Sequence, residues 1–124
     1  IILVAEDNES NYKLFESILK YDYHLIHAWD GQEAVNLFKE YNPQIVLMDI
    51  NMPVMDGYQV LNTIRNMEKQ RGIEGDDRVK IIMMTALNEQ KNVRKAFEMG
   101  CTVYCAKPVD LDKLKNVLKK LKLI

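Results

Sequence analysis

Five short apolar runs punctuate the sequence, and between them apolar residues recur at helical spacing. The runs cover 1–5 (Ile1-Ile2-Leu3-Val4-Ala5), 23–28, 45–48 (Ile45-Val46-Leu47-Met48), 79–84 and 102–106. Each is too short for a stable helix and is bounded by polar or turn residues, so each predicts a strand, the second the weakest. After the first run, Tyr12, Phe15, Ile18 and Leu19 fall on one helical face, with Asn8 placed to cap it. Asp30-Gly31 turns the chain into a second helix carrying Ala34, Val35, Leu37 and Phe38, which Asn42-Pro43 closes. Val60, Leu61 and Ile64 form the inner face of a third helix over about 58–68, and the polar segment 70–78, with Gly72 and Gly75, predicts a loop. A fourth helix is expected from a cap at Asn88 to Gly100. A fifth, capped by Asp110, turns Leu111, Leu114, Val117, Leu118 and Leu121 inward.

Strand and helix thus alternate five times. Alternation of this kind argues for a parallel sheet with helices on both faces, because parallel strands need crossovers and the crossovers cover the sheet. With right-handed crossovers and five strands, the expected architecture is a (βα)5 flavodoxin-like, doubly wound sheet in the order 2-1-3-4-5.

Composition narrows the function without identifying it. At 124 residues the chain is read as one domain spanning 1–124, long enough to bury a core without staples. Its start at Ile1 rather than Met suggests a domain excised from a longer chain. A net charge of -1 gives no general attraction to nucleic acid or membrane, and no apolar run approaches the roughly 18 residues of a spanning helix. Cys101 and Cys105 would lie about 13 Å apart along a strand, too far for a disulfide. No Cys/His cluster accompanies them, so zinc is not expected. They read as core thiols of a reducing compartment, and the domain as cytoplasmic.

The chemistry appears when the strand ends are taken together. In a parallel sheet all strands end on one edge, and open α/β sheets bind ligands in the crevice there. Glu6 and Asp7 follow the first run, Asp49 the third, Thr85 the fourth and Lys107 the fifth. Three carboxylates, a hydroxyl and an ammonium converge. Crowded carboxylates need a counter-charge, and Mg²⁺ suits a few carboxylates plus waters and a phosphate. The backbone carbonyl of Asn51 could add a further oxygen. A carboxylate so placed is a credible phosphoryl acceptor: Asp49 would form an acyl phosphate, with Lys107 balancing charge and Thr85 donating to a phosphate oxygen.

Taken singly, each residue has a bland reading: Glu6-Asp7 as a solvated helix start, Asp49 as a turn residue, Thr85 as a helix cap, Lys107 as a surface lysine. Four strand ends carrying complementary chemistry together do not. Met48, Met52, Met55, Met83 and Met84 read as core filler, and Asp56-Gly57 as a turn and cap. The lysines from Lys113 onward read as a solvated helix face, and His24 and His27 as ordinary residues away from the site.

These residues resemble a receiver domain of two-component response regulators over essentially the whole chain. The matching elements are Glu6-Asp7, Asp49 within Met-Asp-Ile-Asn-Met-Pro-Val-Met-Asp-Gly, Thr85-Ala86 and Lys107-Pro108. The Glu-Asp-Asn opening and the Met-Pro-Val-Met-Asp-Gly loop are similar to receivers of hybrid sensor histidine kinases. The resemblance implies a signalling switch rather than an enzyme. Asp49 would accept a phosphoryl group from a phosphohistidine on a histidine kinase or histidine phosphotransfer domain. Mg²⁺ would be held by Asp7, Asp49, the Asn51 carbonyl and Glu6, directly or through a water. Thr85 and Tyr104 would carry the conformational change. Three departures stand out: Glu6 replaces a common Asp, the segment 70–77 is long, and apolar Leu87 leaves no polar group there to orient a water. Two other functions fit parts of the pattern. One is a binding module that keeps the fold without phosphorylation. The other is a Mg-dependent phosphohydrolase, which would usually carry an Asp where this chain has Asn51.

Overall fold

The computed structural model describes residues 1–21, 23–49, 54–86, 97–107 and 111–121, and for Asp76, Thr85, Ala86, Ala106, Lys107, Leu111 and Leu121 the backbone alone. In chain order the elements are β1 (Ile2–Ala5), α1 (Glu9–Leu19), β2 (Leu25–Ala28), α2 (Gly31–Tyr41), β3 (Ile45–Asp49), α3 (Gly57–Gln70), a 3₁₀ turn (Gly75–Asp77), β4 (Lys80–Ala86), β5 (Val103–Lys107) and α4 (Leu111–Leu121). All strand pairings are parallel, and the sheet order is β2-β1-β3-β4-β5, the expected doubly wound arrangement. The helix expected from Asn88 lies outside the described residues up to its last turn, where Gly100 takes φ +103 and donates to the Phe97 carbonyl.

The two faces of the sheet follow from the period of two along each strand. Leu3, Ala5, Val46, Met48, Ile81 and Met83 face one way and pack with Ala34, Val35 and Phe38 of α2 and Val60, Leu61 and Ile64 of α3. Their neighbours Ile2, Val4, Ile45, Leu47, Ile82 and Met84 face the other way, onto Phe15 and Leu19 of α1 and Leu114 and Leu118 of α4. Every strand of the central three is apolar on both faces, which is why they read as continuous runs rather than alternating ones.

Local chemistry sets the helix boundaries. Asn8 accepts from the Asn11 N–H and starts α1, and Asp30 accepts from the Glu33 N–H and starts α2. Asp56 begins α3 with a reciprocal capping box, Gln59 returning a bond to the Asp56 N–H. Asn42 ends α2 in the left-handed region at φ 47, just before Pro43. Every strand differs from expectation by a residue or two at an end, β1, β3 and β5 by one residue and β2 and β4 by more. β4 runs two residues further, to Ala86, because Thr85 and Ala86 still find partners in Ala106 and Lys107 of β5. β2 loses Tyr23 and His24, since only Leu25 to Ala28 pair with β1. The connection between α3 and β4 is a loop as expected from residue 71 on, Gln70 still belonging to α3, with Gly72 and Gly75 at positive φ, but it contains the 3₁₀ turn.

Two contacts were not legible as such in the sequence. Gly31 lies so close to the loop before α3 that a Cβ there would collide with the carbonyl oxygen and the Cβ of Met55. Arg65 and Glu68 of α3 form a buried latch. Arg65 Nη1 lies 2.7 Å from Glu68 Oε1 and donates to the Val79 carbonyl at 2.9 Å. Arg65 Nε donates to the Gly100 carbonyl at 2.9 Å, and Glu68 Oε2 accepts from the Val79 N–H at 2.7 Å. One ion pair thereby ties α3 to the backbone leading into β4 and β5.

Cys101 and Cys105 are free thiols on opposite faces of the sheet, the first in the α2/α3 core and the second against the α1/α4 core. Burial, above all, pushes the Cys101 thiol up to about 11, with Cys105 adding to the rise and Arg65 opposing it. Among the described residues no helix is long and apolar enough to cross a membrane.

Candidate acidic site at the sheet edge

Glu6 follows β1 and is wholly buried, Asp7 beside it is exposed, and Asp49 closes β3 at 4% exposure. β1 and β3 are hydrogen-bonded neighbours with Ala5 opposite Met48, so Glu6 and Asp49, the next residues of each, lie side by side at the sheet edge. The fold therefore brings the three carboxylates together: one oxygen of each lies within 4.8 Å of the other two. Ligands at 2.0–2.1 Å around an octahedral Mg²⁺ are separated by about 3 to 4 Å, so the three side chains would draw closer around that ion, and carboxylate oxygens are the donors it prefers.

Thr85 and Lys107 are placed by their backbones at the same edge. Asp49 pairs with Met84, the residue before Thr85, and Lys107 pairs with Ala86, the residue after it. Asn51 lies outside the described residues. Tyr104 stands opposite Met83 on β5, its ring half-buried against the α2/α3 core. Among the described residues its buried hydroxyl has no hydrogen-bond partner.

Glu6 is held from several directions. Its N–H donates to the Ala28 carbonyl at 3.0 Å. Asn11 Nδ2 donates to Glu6 Oε1 at 2.8 Å. His27 Nε2 lies 2.8 Å from the Glu6 carbonyl oxygen, and since a carbonyl only accepts, this nitrogen carries the hydrogen. The His27 ring stacks on Tyr12 with centroids 3.7 Å apart and planes 2° from parallel, and Trp29 tilts against its other side at 4.1 Å. His27 is therefore not remote from the site. It lies on β2 opposite Val4, two residues before Glu6, and that pairing carries it to the same edge. Asn11 was also not singled out. The available signal was its spacing, three residues after the cap Asn8 and five after Glu6, which turns it back over the start of α1.

A sequence profile of the response regulator receiver domain matches residues 2–119. The osmolarity two-component system protein Ssk1 of Saccharomyces cerevisiae is 36% identical over 133 residues, covering 89% of this chain and 18% of Ssk1. The chain thus spans about a fifth of the length of that relative. The polar-differentiation response regulator DivK of Brucella ovis is 29% identical, with 95% of this chain and 92% of DivK covered. Among solved structures, the Ssk1 receiver domain in co-crystals with the histidine phosphotransfer protein Ypd1 superposes with a TM-score of 0.88 at 35% identity, over 97% of this chain and 86% of that one. The receiver domain of a Pseudomonas aeruginosa sensor histidine kinase, solved with magnesium coordinated in its active-site cleft, gives 0.82 at 32% identity, over 97% and 94%. With the fold, the acidic edge and these likenesses in agreement, the chain belongs to the response regulator receiver domains of two-component signalling.

Proposed function

We propose that this domain accepts a phosphoryl group on Asp49 from a phosphohistidine of a histidine kinase or histidine phosphotransfer domain. The observation that carries this reading is the juxtaposition of Asp49, Glu6 and Asp7, with oxygens within 4.8 Å, at the edge where every strand of the sheet ends. The Ssk1 receiver, solved in complex with Ypd1, supports the class of donor. The magnesium-bound Pseudomonas receiver supports the ion, and its sensor-kinase parent supports a relation to hybrid-kinase receivers.

In the proposed reaction a carboxylate oxygen of Asp49 attacks phosphorus. The P–N bond to the donor imidazole breaks, and its electron pair leaves with the nitrogen. The product is a mixed anhydride, an acyl phosphate. Phosphoryl transfer of this kind depends on positioning and charge neutralisation. Glu6, Asp7, Asp49 and the Asn51 carbonyl would hold Mg²⁺, which when bound neutralises charge on the phosphoryl oxygens. Lys107 pairs with a phosphoryl oxygen and the Thr85 hydroxyl donates to another. Asp49 ends each cycle carrying the group, so the domain acts as a switch and not as a turnover enzyme. Movement of Thr85 toward the phosphate would let the Tyr104 ring turn further inward.

The test is incubation with a small phosphodonor such as phosphoramidate or acetyl phosphate, with and without Mg²⁺, followed by intact mass. One added phosphoryl group on the wild type in Mg²⁺ alone, absent from Asp49→Asn, is the expected result. No gain by the wild type, or an equal gain by the variant, overturns the proposal. Repeated turnover of a phosphate ester would point instead to a phosphohydrolase.

A further inference from the structure

The acidic site contains a long carboxylate, Glu6, where a shorter one would reach the edge with fewer rotatable bonds. A glutamate has one more torsion to fix, and Mg²⁺ demands near-ideal octahedral geometry. Something must hold that side chain. The structure shows what does: Glu6 is fully buried, and its Oε1 accepts from Asn11 Nδ2 at 2.8 Å. The amide must present its nitrogen here, because an ionised carboxylate only accepts. Asn11 itself is fixed by the start of α1, where its own N–H donates to the Asn8 side chain at 3.1 Å.

We infer that Asn11 is a positioning residue for the metal site, orienting the Glu6 carboxylate so that the cluster favours Mg²⁺ over larger, geometrically tolerant cations. The inference rests on the proposed reading of Glu6, Asp7 and Asp49 as the ion's ligands. Groups that orient a metal-ligating carboxylate typically change affinity 10–100-fold when removed. Loss of the amide leaves the carboxylate to rotate, which penalises an ion at 2.0–2.1 Å in strict octahedral geometry. Ca²⁺, with 6–8 ligands at 2.3–2.6 Å, tolerates the same freedom. Asn11 thus acts as a selectivity residue that compensates for the length of Glu6.

The experiment is Mg²⁺ and Ca²⁺ titration of the wild type, Asn11→Ala, Glu6→Asp and the double variant. Binding is read from the fluorescence of Trp29, the chain's single tryptophan, which touches His27 on the Glu6 carbonyl, and checked by thermal shift. Asn11→Ala is expected to weaken Mg²⁺ binding roughly tenfold and Ca²⁺ binding by clearly less. The fold should be kept, because alanine is the better helix former and the Asn8 cap needs only the backbone N–H of residue 11. In the Glu6→Asp background the carboxylate is too short to reach the amide, so adding Asn11→Ala should change Mg²⁺ affinity little. An equal loss for both ions, an equal loss in both backgrounds, or no loss in a wild-type domain that does bind Mg²⁺ overturns the role of Asn11. Failure of the wild type to bind Mg²⁺ by either readout overturns the metal-site reading beneath it.

Discussion

Replacing Asp49 by Asn should stabilise the domain when no divalent ion is present. Glu6 and Asp49 are both buried and their carboxylates approach within 4.8 Å, with Asp7 at the same spacing in more open surroundings. Two unit charges at that distance repel by about 3 kcal/mol at an effective dielectric near 20. The substitution removes one of those charges while keeping the volume and one acceptor oxygen, and the new amide could donate to Glu6. Part of the gain is offset by the interaction that Asp49 makes in the wild type. A net increase of about 1–3 kcal/mol is expected, or several degrees in melting temperature for a domain of this length. Thermal and urea unfolding in a chelator, repeated in excess Mg²⁺, measures it. The wild type should gain stability with Mg²⁺ as RT ln(1 + [Mg²⁺]/Kd), and Asp49→Asn should gain much less. Because the pair is buried, the difference should survive moderate salt. A variant that is less stable than the wild type in chelator, or stabilised equally by Mg²⁺, would refute the view that the site stores repulsion which the ion relieves.

Three further outcomes follow from the packing. Glu68→Ala leaves Arg65 and the Val79 N–H without their buried partner and should cost about 3–5 kcal/mol in urea unfolding, a large part of a small domain's stability. Gly31→Ala places a Cβ against the Met55 backbone and should cost about 1–3 kcal/mol, whereas Gly72→Ala meets no atoms and is strained only by its φ of +74. The raised Cys101 thiol, at about 11 against an ordinary 9.0, should hold roughly a hundredfold less thiolate and alkylate correspondingly slowly in the native state. Its sign in stability is fixed as well. The folded thiol keeps its proton to higher pH than the unfolded one, so its contribution is present below about pH 9 and is lost as pH rises through about 11.

The sheet order and the acidic cluster were readable because both depend on strands, and the central three are apolar on both faces. Burial on two faces marks those three runs as strands, and parallelism places all the strand ends on one edge. Glu6, Asp7 and Asp49 could therefore be grouped without any contact being known. The contacts that cross between elements were not readable. Glu68 was not singled out, since nothing in its spacing shows that Arg65 and the Val79 N–H close around it. His27 looked ordinary because β2 is the edge strand, half-buried along most of its length, and only its register with β1 carries it to Glu6. Asn11 was not singled out, because nothing in the first turn of α1 shows that its amide meets a buried carboxylate. Strand ends failed by one or two residues for a related reason. Pairing with β5 extends β4 through Thr85 and Ala86, and pairing is a property of two segments, not one.

The central claim is that Asp49 takes a phosphoryl group from histidine. Transfer from a phosphorylated histidine phosphotransfer domain to this chain in Mg²⁺, followed by borohydride reduction and peptide mapping, tests it most directly. Reduction converts an aspartyl phosphate to homoserine, so homoserine is expected in place of Asp49 and of no other carboxylate. Label that remains on the donor, or homoserine in place of Asp7, Asp56 or another acidic residue with Asp49 intact, would contradict it.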